Sequence, residues 1–255
     1  MKDFTFEVYK MLLTSLKEAG YAFQTVEEYF TAPLPKVVIL RHDVDSWPIN
    51  ALQMASIEVQ AGVKATYYFR TSPLSYDSLI IRKIVGMSHE IGYHYEDLAS
   101  CNGNQTKAIQ SFVRNLKLFR SYYPVKTIAM HGRPLSKWDN LDLWKKHDFK
   151  EFNIIGEPYL SLDFNKMLYL TDTGNCWDGD KYSIRDNVKT SIKFNIHTTF
   201  DLIYHLQQDL LPAQMMLNIH PARWNDNPLK WFIRYYILTL PKYQTKKWVK
   251  AWRKK

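Results

Sequence analysis

The sequence predicts an α/β fold whose parallel strands wrap toward a barrel, and three observations predict it. Short runs rich in β-branched and aromatic residues recur at 37–43, 64–70, 90–94, 126–131 and 214–220. Between them lie longer stretches with apolar residues at helical spacing. Several of the runs end in Asp or His. Strands that alternate with helices imply βαβ units and a parallel sheet. So many units in one chain of 255 residues suggest a barrel.

The elements follow in order. Phe4, Val8, Met11, Leu12 and Leu16 predict a helix over about 4–19. After Pro35, Val37-Val38-Ile39-Leu40 opens a buried strand over 37–43. A helix over 47–62 follows, with Ser46 as its cap and Pro48 in its first turn. The pattern then predicts strand 64–70, helix 78–86, strand 90–94, helix 104–122, strand 126–131 and helix 139–147. Further strands are expected near 151–155 and 167–171, then helix 199–210, strand 214–220 and a helix from about 227. One domain over 1–228 is expected, followed by a basic, aromatic helical element over 229–255.

Composition narrows the class. With 46% hydrophobic and 23% charged residues, the chain reads as an ordinary soluble globular protein with one large core. Acids interrupt the N-terminus, which does not read as a signal peptide, and no apolar stretch reaches the ~20 residues of a spanning helix. Cys101 and Cys176 are too few for a disulfide framework. Together these features predict a cytoplasmic location. The net charge is +9, but seven basic residues and no acids fall within 241–255, so the remainder is close to neutral. Trp248 and Trp252 lie among those lysines. This pattern suits a peripheral element on an anionic membrane, at the inner face. No DNA- or RNA-binding module accompanies the charge, so nucleic acid is not expected as a partner.

The strand ends carry the chemistry. Val37–Leu40 runs into Arg41-His42-Asp43-Val44-Asp45. Side chains at i and i+2 share a strand face, so Asp43 and Asp45 point the same way, roughly 6–7 Å apart at Cα. One acid can then hold a metal while the other takes a proton from water. His94, His131 and His220 end three other runs. In parallel α/β folds these ends gather on the face that holds the active site.

Taken in order, these motifs resemble those of the polysaccharide deacetylase family, also known as the NodB-homology or carbohydrate esterase family 4 group. The resemblance spans about 37–224. His42-Asp43-Val44-Asp45 resembles the first motif, Ala65-Thr66-Tyr67-Tyr68-Phe69 the following strand, and His89-Glu90-Ile91-Gly92-Tyr93-His94 the second motif. His131-Gly132-Arg133-Pro134, Thr171-Asp172-Thr173-Gly174 with Trp177, and Leu217-Asn218-Ile219-His220-Pro221 fall at the later motifs. The resemblance implies a distorted (β/α)7 barrel. It implies Asp43 as catalytic base, Asp45 and His94 as metal ligands, His220 as general acid and Asp172 as its orienting partner. Two departures stand out. Val44 separates the two aspartates, and Leu98 occupies the place of the second ligand histidine. His131 or Glu96 can supply the third ligand, or the site binds no metal.

These residues predict a divalent ion held by Asp45, His94 and His131, with zinc favoured because two imidazoles and a carboxylate suit it. Arg133 or Arg41 can keep Asp43 ionised. Tyr95 and Trp177 are candidates to stack on a sugar ring, although core packing explains either equally well. The expected activity is removal of an N-acetyl or N-formyl group from an amino sugar in a surface-polysaccharide precursor, possibly lipid-linked. The alternative is a carbohydrate-binding protein that keeps the barrel without the chemistry.

Overall fold

In the computed structural model of the chain, described for residues 2–133, 135–178, 185, 188–227 and 229, one parallel sheet carries the fold. Its strands are β1 (Ala22–Gln24), β2 (Val37–Val44), β3 (Thr66–Phe69), β4 (Glu90–Tyr95), β5 (Ile128–Met130), β6 (Leu168–Thr171) and β7 (Gln214–Ile219). The order is β5-β4-β3-β2-β7-β6, and every pairing is parallel. The short β1 pairs with residues 37–39 of β2, and β3 takes over at 41–44.

The sheet is curled. Ile39, Tyr68, Ala129, Tyr169 and Met216 belong to one buried cluster, although Ala129 and Tyr169 sit on the two end strands. A flat sheet would hold those strands far apart, because neighbours are about 4.8 Å apart. Among the described residues β5 and β6 do not pair, so the barrel is open there, with a single bridge from Thr127 to Gly156 beside the gap. This is the α/β half-barrel that the strand pattern predicts.

Helices cover the outer face: α1 (Phe6–Glu18), α2 (Val26–Thr31), α3 (Pro48–Gln60), α4 (Ser78–Gly86), α5 (Asp97–Ser100), α6 (Gln105–Arg120), α7 (Pro158–Ser161) and α8 (Thr199–Gln207). Each long helix shows why it forms. Thr5 and Asn104 cap α1 and α6 through their side chains. Ala108, Phe112, Leu116 and Phe119 of α6 form one buried stripe against the sheet.

The structure departs from the sequence reading in several places. The expected strand at 151–155 is a 3₁₀ turn, Phe149–Phe152, and a loop. The helix at 139–147 is a 3₁₀ helix, Asn140–Lys145. There the Asn140 side chain is committed elsewhere, accepting from Ala99 N and donating to His131 O. The unpredicted α2 carried a legible signal: Thr25 and Glu28 form a reciprocal capping box. Trp47, not Ser46, occupies the cap of α3, in a left-handed conformation with φ 54°. The expected helix from about 227 and the basic 241–255 segment lie outside the described residues, apart from Leu229. Among the described residues no helix is long and apolar enough to cross a membrane.

Candidate active site

Strand alternation on β2 builds the site. Arg41 and Asp43 point into the barrel, whereas His42 points outward, where its ring stacks on Tyr67 at 4.3 Å. Arg41 Nε and Nη2 donate to the two oxygens of Asp43 at 2.9 and 2.8 Å, a bidentate pair that is buried on both sides. The guanidinium lies 4.7 Å from the Tyr159 ring centre and 5.6 Å from that of Tyr68. Burial alone would push the Asp43 carboxyl up, but Arg41, with His94 and His220, holds it below the usual carboxylate range. Arg41 is therefore the residue that keeps Asp43 ionised. Arg133 is not: it is exposed and donates to Ser100 Oγ at 2.9 Å. Its backbone is left-handed, with φ 30°.

Asp45, His94 and His131 meet at the mouth. His94 Nδ1 is 2.9 Å from Ala129 O, and His131 Nδ1 is 2.8 Å from Glu96 Oε2. A carbonyl and a carboxylate only accept, so each ring carries its proton on Nδ1 and turns Nε2 inward. Both Nε2 atoms lie 3.5 Å from Asp45 Oδ1. That oxygen is buried and has no hydrogen-bond partner. With both rings neutral, three lone-pair-bearing atoms converge here without a donor between them. The spacing exceeds the about 2.7–2.9 Å of a charge-assisted hydrogen bond. Each of the two distances to Asp45 is close to the edge of about 3.4 Å between ligands held 2.0–2.1 Å from a tetrahedral zinc, but the three donor atoms do not all lie within 4.8 Å of one another, so the two imidazoles would have to close on an ion. The donor set fits a divalent ion. Without an ion, burial pushes the Asp45 carboxyl up, but the protonated forms of His131, His94 and His220 hold it well below its usual range, and Asp43 and Asp45 in turn raise the pKa of His94 against burial.

Glu96 is a support for this cluster. One oxygen accepts from His131, and the other accepts from Arg70 Nη2 at 2.7 Å. Burial works against ionisation, yet His131 and Arg70 bring its pKa down to about 2. Of the two candidate third ligands, His131 faces the cluster and Glu96 stands behind it. Gly92 also shapes this wall: a Cβ there would lie 2.2 Å from the Tyr68 ring, so β4 needs glycine two residues before His94.

His220 approaches from β7, on the other side of β2 from His94 and His131. Its Nδ1 is 2.6 Å from Asp172 Oδ1, and its backbone N donates to Asp172 Oδ2 at 2.9 Å. Trp224 Nε1 donates to the same Oδ2 at 2.9 Å, and Arg223 Nε lies 3.3 Å from Oδ1. The fully buried Asp172 therefore fixes the ring and leaves Nε2 free for chemistry.

Two expected sugar-stacking residues do not line the mouth. Tyr95 is fully buried and packs its ring edge-on against Phe112 and Trp144 behind the sheet, because it falls on the outward side of β4. Trp177 is buried between Phe4 and Trp224. Of the residues now seen around the site, Arg70, Arg223 and Trp224 were not singled out from the sequence. Arg70 carried a signal, as a charge ending a buried run beside β2. Arg223 and Trp224 carried none that separates them from other loop residues.

No protein-family profile matches the sequence, and no curated protein matches it. Among solved structures the chain is similar to a Streptococcus mutans CE4 esterase, at 16% identity and a TM-score of 0.45, over 92% of this chain and 90% of that one. It is also similar to a CE4 family pseudoenzyme from Bacillus anthracis, at 13% identity and a TM-score of 0.46, over 84% of this chain and 62% of that one. This chain thus spans less than two thirds of the pseudoenzyme's length. The fold class rests on the strand order and the shared inner cluster.

Proposed function

We propose that the protein is a metal-dependent hydrolase that removes an N-acyl group, acetyl or formyl, from an amino sugar. The observation that carries this reading is that His94 Nε2 and His131 Nε2 both face Asp45 Oδ1 at 3.5 Å, beside an ionised Asp43. A divalent ion on those three residues, zinc by donor type, would polarise the amide carbonyl and make water a better nucleophile. Asp43 takes the proton of the attacking water, and Arg41 keeps it ready to do so. His220 delivers a proton from Nε2 to the departing amine. Asp172 holds that ring in place and stabilises its protonated form.

An amino sugar in a surface-polysaccharide precursor fits this chemistry and the motif resemblance. The basic, tryptophan-bearing 241–255 segment favours a lipid-linked precursor, met at an anionic inner membrane surface. The peripheral, cytoplasmic placement is part of the same proposal.

The test is elemental analysis of dialysed wild type, His94→Ala and His131→Ala, with hydrolysis assayed on N-acetyl and N-formyl amino sugars. Wild type should release the free amine, and each variant should hold about one ion per chain fewer than wild type and release none. Metal-free wild type that still binds saccharide would replace this reading with that of a sugar-binding protein. A sedimentation assay tests the membrane component. Full-length protein should pellet with anionic vesicles and not with neutral ones, and truncation before residue 242 should abolish this. Equal recovery in the supernatant with both would remove the argument for a lipid-linked substrate.

A further inference from the structure

A second group of metal-binding side chains lies outside the cluster described above. Cys176, Asp178 and His197 each place one donor atom within 4.8 Å of the others. The thiol is buried, Asp178 is partly covered and the His197 ring is exposed. We propose that these three residues bind a divalent ion of thiophilic character, zinc above all, as a structural staple.

The placement of the three residues supports a built site. Cys176 and Asp178 stand two apart in the turn that follows β6. His197 stands on the segment that leads into α8. The two segments are already joined, since Trp177 N donates to His197 O at 2.9 Å. Asp178 pairs with Thr171 in a parallel bridge, and His197 N donates to Asp201 Oδ2 at 3.0 Å. The backbone therefore holds each side of the trio before any ion arrives, which lowers the ordering cost of binding. The donors also match in kind, since thiolate, imidazole and carboxylate are all zinc ligands.

Two of the contacts that binding would exchange are known. The Cys176 thiol is 3.6 Å from Thr173 O. His197 Nδ1 lies 2.7 Å from Asp178 Oδ1, a pair on the surface. Binding would release the thiol proton to solvent, and rotation of the exposed imidazole would bring a nitrogen to the ion. The same turn begins at Asp172, whose Oδ1 orients His220, and Asn175 N donates to Asp172 O at 3.0 Å. An ion at its far end would fix the turn that positions the candidate general acid.

The test uses the full-length protein loaded with cobalt(II) in a His94→Ala background, so that its outcome does not depend on the proposed catalytic site. The catalytic cluster contains no sulfur. A sulfur-to-cobalt charge-transfer band in the near ultraviolet therefore reports a thiolate site. The band should appear at one cobalt per chain, and zinc should displace it. It should disappear in Cys176→Ser and weaken strongly in His197→Gln, an exposed position where the substitution leaves the core intact. Zinc should raise the melting temperature of the parent and not of either variant. Absence of the band would overturn the proposal. So would a band that survives Cys176→Ser, which would place the thiolate at Cys101.

Discussion

The two faces of β2 carry buried charge in opposite ways. On the outer face Glu58 is closed by its neighbours. Its oxygens meet the Tyr9 hydroxyl, His42 Nε2 at 2.6 Å and the Tyr67 hydroxyl at 2.6 Å, and His89 Nδ1 lies 3.6 Å away. His89 is itself satisfied, accepting from Ala65 N and facing Ala55 O through Nε2. On the inner face, one residue further along the same strand, Asp43 is closed by Arg41, but Asp45 Oδ1 is left without a partner between two imidazoles. Burying a charge is tolerated when protein groups neutralise it, as they do around Glu58. An acceptor cluster that the protein leaves open is poised for a cation from outside. The contrast separates a histidine that holds the core together from histidines whose Nε2 atoms face a carboxylate oxygen at the barrel mouth, although all of them end or flank apolar strands.

The sharpest way to break this comparison is to alter one carboxylate on each face. Asp43→Asn should lower hydrolysis about 10²–10⁴-fold, the range for loss of a general base, while metal content stays that of wild type. Loss of the ion in that variant would mean that Asp43 is a ligand. Glu58→Leu should do the reverse. It strands the buried His42, Tyr9 and Tyr67 groups and should cost about 3–5 kcal/mol in a denaturant titration, with unchanged metal content per folded molecule. A large loss of metal from folded Glu58→Leu would couple the two faces and erase the distinction.

A smaller effect sharpens it. Glu96→Gln should weaken metal affinity about 10–100-fold in a chelator competition, because Glu96 orients His131 from behind. The same variant carries a pH signature. Glu96 has a folded pKa of about 2 against 4.5 for an ordinary glutamate, so its stabilisation is present above about pH 4.5 and is lost as pH falls toward 2. Wild-type thermal melts between pH 5 and 2.5 should therefore steepen relative to Glu96→Gln. Parallel curves would show that the Glu96 contacts contribute nothing to the fold.

Much of the fold was legible because the sheet is parallel and buried on both faces. Such strands read as near-continuous apolar runs, as Val37–Leu40 and Met215–Ile219 do. The missed β1 has three residues, too few for a period to register. The false strand at 151–155 contains Ile154 and Ile155, whose apolar character suits a loop as well as a strand when only Ile154 is buried. Tyr95 was misread for a related reason. Proximity to His94 in sequence places it on the opposite face of the strand, not beside it.

The sequence by itself determined the alternation of strands and helices and the placing of Asp43, Asp45, His94 and His220 at strand ends. These follow from chain periodicity, which is local. Tertiary structure alone decided between His131 and Glu96, and between Arg41 and Arg133. Each choice depends on where a loop turns after its strand. The carbonyl of Ala129 and the carboxylate of Glu96 set which ring nitrogen faces the cluster, and both are contacts across 35 residues. No local pattern encodes such contacts, because they exist only once the curled sheet has brought β4 and β5 side by side.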